Sequence, residues 1–282
     1  MPDDDARYNV SSYNRDPQHA AKVAVVGASE CTFAVYDPEY NEKMSSPEAS
    51  LWLEAMNVEM ETQRTMDTFE EVARPPGVNV VSCRWVYAEK RDAEGNVVLH
   101  KAWLVARGFT EREGIDYKET FAPTPRKSHL LLLIAIAVHF DWEISQIDVK
   151  AAFLHGYLEE TIYMEAPPGY PTVIPGGCWK LKKPIYGLKQ AAWCWYARLQ
   201  TELEKSGFRA TSAPCIFVTK GRIIASHVDD MISLAKDKSL RDLTKSDLSK
   251  SFKIHDLGDL SFYLGMKFTR DRTRRIIEIA QD

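Results

Sequence analysis

Cysteine is scarce in this chain and poorly spaced for any structural role. Cys31, Cys83, Cys178, Cys194 and Cys215 are scattered, odd in number and never in a CxxC pair. That pattern excludes a disulfide framework and a zinc site and fits a reducing compartment. Long apolar runs are missing too. The longest, LLLLIAIAV from Leu130 to Val138, is too short to span a bilayer and suits a core helix, so no membrane partner is expected. The opening MPDDDARYNV is acidic and polar, without the make-up of a secretory signal. No repeat at a fixed period is present. Net charge is also low, −4, but it is unevenly spread: residues 1–75 carry six basic against fifteen acidic side chains. A mildly basic body behind an acidic start is compatible with a polyanionic partner without demanding one.

A hydrophobic content of 45% with 11% aromatics is enough to build real cores in a chain of 282 residues. Residues 1–47 are rich in Asp, Ser, Asn and Pro with no sustained period, and read as a flexible acidic leader. Folded structure is expected over 48–282. A helix begins in SPEASLWLEAMNVEM, with Ser46 or Ser50 as cap and Trp52, Ala55, Met56 and Met60 at helical spacing. Two β-rich runs flank DAEGN, a hairpin turn in which Gly95 and Asn96 supply the unusual backbone angles. LLLLIAIAV forms a helix, WEISQIDV a buried strand ending at Asp148, and VKAAFLHG a short helical turn. LKQAAWCWYARLQTELEKSGF is a helix stopped by Gly207; two strands meet at a turn on Lys220 and Gly221, and a helix and further strands follow. Helices interleaved with hairpins give an α+β class.

The stretch IIASHVDDMISLA, Ile223 to Ala235, sets Asp229 and Asp230 in a run that otherwise reads as a buried strand. Adjacent carboxylates beside a core are costly unless a cation neutralises them. Asp148 is a third candidate at the end of its own strand. Two or three carboxylates suit Mg²⁺, a hard cation that prefers oxygen ligands and keeps several waters. The plainer reading is that Asp229 and Asp230 serve as turn residues and Asp148 as a helix cap.

Collinear motifs weigh against that plainer reading. In order, WLEAMNVEME, KAWLVARGFTEREGIDYKETFAPTPR, QIDVKAAFLHGYLEETIYMEAPPGY, IYGLKQAAWCWY, HVDDMIS and DLGDLSFYLGMKF resemble blocks of the reverse transcriptases of copia-type LTR retrotransposons, over residues from about 50 to the C-terminus. The resemblance implies a right-hand polymerase fold of fingers and palm, with an antiparallel palm sheet and packed helices. It implies an RNA-directed DNA polymerase, part of a retrotransposon polyprotein, that adds deoxynucleotides to a primer 3′-hydroxyl by two-metal chemistry. Asp148, Asp229 and Asp230 match the catalytic ligands of two Mg²⁺ ions, for which Mn²⁺ can substitute. Phe153 matches the aromatic beneath the incoming sugar, whose bulk excludes a 2′-hydroxyl. Tyr186 and Gly187 match the block lining the nucleotide pocket and template. Lys101 and Arg107, taken to lie on the second fingers strand, match cations that neutralise triphosphate oxygens; a solvated strand face is the alternative for them, as an ordinary core role is for Phe153. Leu264 and Gly265 fall where the family grips the primer end. The partners implied are an RNA or DNA template–primer, dNTPs and other polyprotein domains, in cytoplasmic particles with access to the nucleus.

The chain departs from the family inside its own motifs. Trp103 stands for the arginine of KARLVARGF, Ala192 and Trp193 for the proline and arginine of YGLKQAPR, and His227 for the tyrosine of YVDD. Leu131 replaces an arginine and Glu111 a glutamine. Each lost cation removes charge-assisted bonds of about 1.5–3 kcal/mol. The expectation is a polymerase fold with an intact metal site and a damaged substrate cradle. The chain also stops at EIAQD, inside structure that the resemblance implies should continue. The alternative function is a decayed retroelement remnant that is inert or only binds nucleic acid.

Overall fold

The computed structural model describes residues 37–92 and 94–281. They divide into two compact units. One is formed by the described chain through Lys118 together with Leu158–Lys189, the other by Glu119–Tyr157 together with the chain from Gln190 onward.

The first unit opens with α1 (Pro38–Met44) and α2 (Ala49–Thr65). Pro38–Met44 of the span expected as a leader through residue 47 is thus helical, and residues 1–36 of that span lie outside the described residues. The physical reason is Asp37: its carboxylate caps α1 by accepting the Tyr40 N–H at 3.3 Å and also accepts the Trp85 N–H at 3.0 Å. A buried aspartate with two backbone donors anchors what composition alone reads as loose. α2 buries Trp52, Ala55, Met56 and Met60 as their spacing predicts. Its cap is neither Ser46 nor Ser50 but Glu48, which makes no side-chain capping bond. The Ser46 hydroxyl is committed elsewhere, donating to the Lys43 carbonyl at 2.8 Å.

Strands β1 (Phe69–Val72), β2 (Val80–Val81), β3 (Cys83–Arg91) and β4 (Val97–Ala106) follow. β3 and β4 form an antiparallel ribbon of their own, closed over DAEGN. Gly95 takes the positive φ expected there, 89°, and Asn96 does not; the Asp92 carboxylate holds Asn96 instead by accepting its N–H at 2.7 Å. Later in the chain, β6 (Ile162–Met164) and β7 (Cys178–Leu181) complete a four-stranded sheet in the order β1-β7-β6-β2, in which β2 and β6 run parallel.

The second unit is built on a six-stranded, wholly antiparallel sheet in the order β12-β5-β11-β10-β9-β8. Its strands are β5 (Glu143–Val149), β8 (Arg209–Ala210), β9 (Ile216–Thr219), β10 (Arg222–His227), β11 (Asp230–Ala235) and β12 (Ile254–Asp259). Apolar alternation loads both faces. On one, Ile144, Ala225, Ile232 and Leu234 pack with Leu130, Ile134 and Ala137 of α3 (Lys127–His139). Tyr263 of β13 (Phe262–Tyr263) and Met266 and Phe268 of β14 (Met266–Asp271) close that core, and β14 pairs in turn with β15 (Ile276–Ala280). On the other face, Ile147, Val149, Ile224 and Met231 pack with Trp195, Leu199 and Leu203 of α4 (Ala191–Lys205) and Leu248 of α5 (Lys238–Ser249). Cys83, Cys178, Cys194 and Cys215 are all buried small core residues outside any disulfide; burial pushes the Cys215 thiol up to about 12. Cys31 lies outside the described residues. The architecture is a mixture of helices and largely antiparallel sheets, the α+β class that interleaved patterning predicts.

Candidate catalytic carboxylate site

Strand parity decides where Asp148 stands. β5 sends Ile147 and Val149 to the α4–α5 core and Ile144 to the α3 core. Asp148, of the same parity as Ile144, lies on the α3 face at the strand's end. β11 obeys the same alternation, so Asp230 shares a face with Ile232 and Leu234. The two strands pair with Asp230 directly opposite Asp148, a relation that brings Cβ atoms to about 4.5–5.5 Å. On its other side β5 meets β12, with His255 opposite Asp148.

Asp229 occupies the turn between β10 and β11. The hairpin closes on the His227–Asp230 pair, leaving Val228 and Asp229 as its two turn residues. Val228 has φ 58°, rare for a β-branched side chain. The Asp229 carbonyl accepts the Val149 N–H at 3.0 Å, tying the turn to the end of β5. The Val228 carbonyl accepts from the Trp195 indole N–H at 2.7 Å and the Ser226 hydroxyl at 3.2 Å. Behind the pair, the buried Tyr263 hydroxyl donates to the Asp230 carbonyl at 3.3 Å.

The charges around this corner are already partly matched. Lys150 Nζ lies 3.0 Å from Asp148 Oδ2, and the Lys150 N–H is bonded to the Lys253 carbonyl at 2.9 Å, which fixes the base of the side chain. The corner therefore already holds one cationic group, the Lys150 ammonium. Gln146, buried on the same face two residues before Asp148, has an Nε2 without a hydrogen-bond partner among the described residues. Burial pulls the His227 imidazole below its usual range, so it is neutral at pH 7 and adds no competing positive charge. The donor set is all carboxylate oxygen, which fits a hard divalent ion rather than zinc or copper. Among the described residues, the metal-capable group whose ligand atoms lie within 4.8 Å of one another is Glu48, Glu89 and His100 in the first unit, not the aspartates. Closing the aspartates on an ion needs side-chain rotation, because the backbones of Asp148 and Asp230 are already paired.

The remaining candidates are distributed over the two units. Phe153 lies in the 3-10 turn Ala152–His155, half-buried against the α4–α5 core. Leu264 and Gly265 form the two-residue turn between β13 and β14, both at positive φ, 49° and 75°. In the first unit, Lys101 is on β4 with its ammonium 6.0 Å from the centroid of the Trp103 ring, two residues on and on the same face. Arg107 is not on that strand, contrary to expectation. β4 ends at Ala106, and Arg107 caps the 3-10 turn Gly108–Thr110 while its N–H donates to the Ser82 carbonyl at 2.7 Å. Tyr186 and Gly187 lie against the same strand end: the Tyr186 carbonyl accepts the Ala106 N–H at 2.7 Å. Gly187 has φ 87°, and a Cβ on it would fall 2.0 Å from the Ala106 oxygen; one on Gly108 would fall 2.2 Å from the Gly187 oxygen. Only glycine fits at either position.

Sequence reasoning missed Lys150, Trp195, Tyr263 and His255. Lys150 was legible as a cation two residues after Asp148. The other three become neighbours of the aspartates only through the pairing of β12 with β5 and the packing of α4 and β13.

Residues 66–282 match the family model described as Reverse transcriptase (RNA-dependent DNA polymerase). Over 255 residues the chain is 38% identical to the Retrovirus-related Pol polyprotein from transposon TNT 1-94 of Nicotiana tabacum, covering 87% of this chain and 19% of that protein. It is 36% and 37% identical, each over 226 residues and 78% of the chain, to the corresponding polyproteins from transposons RE1 and RE2 of Arabidopsis thaliana, covering 15% and 16% of them. The chain thus spans less than a fifth of the length of these curated relatives. With most of its length matched in sequence and the motif order intact, the chain belongs to the copia-type reverse transcriptase family.

Proposed function

We propose that the chain is the RNA-directed DNA polymerase domain of a retrotransposon polyprotein, and that Asp148, Asp229 and Asp230 form its catalytic centre. The observation that carries this reading is the direct cross-strand pairing of Asp148 with Asp230, next to the turn that holds Asp229. In this reading the second unit is the palm, and the β3–β4 ribbon belongs to the fingers.

The three carboxylates would hold two divalent ions, Mg²⁺ or Mn²⁺. Such ions, when bound, make a primer hydroxyl a better nucleophile and neutralise charge on the transferring phosphate and the leaving pyrophosphate. The protein's own contribution is positioning. β5 and β11 fix the spacing of Asp148 and Asp230, and the Val149 N–H fixes the carbonyl side of Asp229. Lys150 partly neutralises Asp148 and would compete with a bound ion for its carboxylate. Phe153 would exclude a ribose 2′-hydroxyl by bulk. Lys101 and Arg107 would receive triphosphate oxygens, while Tyr186 and Gly187 would line the nucleotide pocket and template. The substrates on this reading are a template–primer and dNTPs; other polyprotein domains would act beside this one in cytoplasmic particles with access to the nucleus.

Primer extension on an RNA template with Mg²⁺ tests the reading. Template-dependent dNTP incorporation that disappears in Asp148→Asn supports it. No incorporation by this chain, with incorporation recovered in a variant carrying Trp103→Arg, Trp193→Arg and His227→Tyr, would identify a decayed copy. No incorporation by either would refute the polymerase reading.

A further inference from the structure

We propose that Trp195 is a positioning residue for Asp229: its indole N–H clamps the strained Val228 peptide and thereby aims the Asp229 carboxylate. This inference rests on the catalytic-centre reading above and deepens it.

The first observation is the turn itself. A two-residue hairpin turn with positive φ at its first residue strongly favours glycine there. This chain has valine, at φ 58°, while Asp229 does not share the positive φ. A β-branched residue persists in that conformation only when its surroundings hold it.

The second observation is what holds it. Trp195 Nε1 donates to the Val228 carbonyl at 2.7 Å. The donor has little freedom to swing away. Trp195 is fully buried on α4, edge-on to Phe252 with centroids 5.1 Å apart and tilted against His155 at 6.1 Å. His155 lies in the 3-10 turn that follows Asp148, so one indole touches the segment after the first aspartate and bonds the turn carrying the second.

The third observation connects the clamp to chemistry. The Val228 carbonyl belongs to the peptide unit entering Asp229, and the Asp229 carbonyl to the unit leaving it. Trp195 pins the first, and the Val149 N–H pins the second at 3.0 Å. With both peptide planes fixed, the direction of the Asp229 Cα–Cβ bond is fixed as well. The Ser226 hydroxyl reaches the same Val228 oxygen at 3.2 Å, but it is part of the hairpin and moves with it. Trp195 ties that peptide to a separate element, α4.

The test uses the full chain, Mn²⁺ as probe and electron paramagnetic resonance as readout, with the relevant ion assigned by its loss in Asp229→Asn. Trp195→Phe keeps an aromatic ring and removes the donor; it is expected to weaken Mn²⁺ binding about tenfold, the scale of one unsatisfied buried carbonyl. Val228→Gly makes the positive φ cost-free, so the double variant is expected to bind Mn²⁺ as Val228→Gly alone does. In primer extension, Trp195→Phe should lower kcat and leave the KM for dNTP nearly unchanged. Wild-type Mn²⁺ affinity in Trp195→Phe overturns the inference. So does a double variant that stays impaired or fails to fold, since Trp195 would then be a packing residue. If neither the wild-type chain nor the variant restored at Trp103, Trp193 and His227 incorporates nucleotide but the Mn²⁺ pattern holds, the polymerase reading fails and the clamp stands. If it incorporates normally and Trp195→Phe matches it, the clamp alone fails.

Discussion

Each strand of the β3–β4 ribbon has a single partner, whereas β5 has a strand on either side and helices over both faces of its sheet. Both regions carry residues that the family resemblance marks as functional, yet they hold them differently. Lys101 sits half-buried on the ribbon over a tryptophan ring, and Arg107 falls past its end. Asp148 and Asp230 are locked in register in the middle of a sheet. An ion site needs carboxylates at near-fixed spacing, which a central strand pair supplies. A charge that meets flexible phosphates tolerates a looser mount. The departures from the family do not follow that division: Trp103 lies on the ribbon, but Trp193 is on α4 and His227 on β10, in the same unit as the three aspartates.

The largest expected effect contrasts ion pairs from the two regions. Arg222 Nη1 lies 2.7 Å from Asp247 Oδ2 with both side chains about nine-tenths buried. Arg222→Ala should cost about 3–5 kcal/mol in urea denaturation, because it removes the buried partner of a buried carboxylate and leaves it only the exposed Lys250. Arg91→Ala, which removes the exposed partner of Glu89 on the ribbon, should cost under about 1 kcal/mol. Equal losses would break the contrast. The buried pair also has an acid signature. Burial alone would raise the Asp247 carboxyl, but hydrogen bonds and charge from Arg222 and Lys250 hold it below the ordinary 3.8. A depressed folded value means that the contribution is present above the ordinary carboxylate range and is lost as pH falls through the lowered folded value. Stability measured against pH should show a reduced acid-side slope in Arg222→Ala, with Lys250 holding the remainder.

Next in size, Asp148→Asn or Asp230→Asn should reduce nucleotide incorporation by about 10²–10³ with little change in melting temperature. A drop of the same size from Lys101→Ala would show the ribbon to be as demanding as the sheet. Trp103→Arg and Trp193→Arg sharpen the comparison further. Each should restore about 1.5–3 kcal/mol of nucleotide or template–primer binding, read as a lower KM and a steeper dependence of binding on salt. A gain from one and not the other assigns the damaged cradle to a single unit. The smallest expected effect is Lys150→Met, which removes the competing ammonium at Asp148 and should tighten Mn²⁺ binding about twofold to fivefold, as for one half-exposed ion pair.

Much of this could be read from the residues because the informative signals are local. In IDV the apolar Ile147 and Val149 flank Asp148, so the face of Asp148 follows from its neighbours. Gly95, Gly207 and Gly221 mark turns and a helix end by the one conformation they permit cheaply, and all three take positive φ. The helix over LLLLIAIAV was evident from length and composition. What escaped depends on distant partners. Asp37 orders α1 through Trp85, far along the chain, so composition misread that stretch as leader. Ser46 looked like a cap for α2 but closes α1. Arg107 was assigned to a strand because the apolar alternation of β4 runs up to it, while the close approach of Gly108 and Gly187 turns the chain there. No periodicity could have announced that Trp195 would meet Val228, or that β12 would bring His255 beside Asp148.

The position of β5 has a consequence for how the protein is made. Its two neighbours, β11 and β12, are both translated long after it. During synthesis, a strand destined for burial on both faces must wait at the ribosome with neither edge covered, and sheets assembled from such late partners close slowly. Folding helpers, low temperature or slowed translation should therefore raise the yield of soluble chain, and the most sensitive segment on the way is the one that carries Asp148.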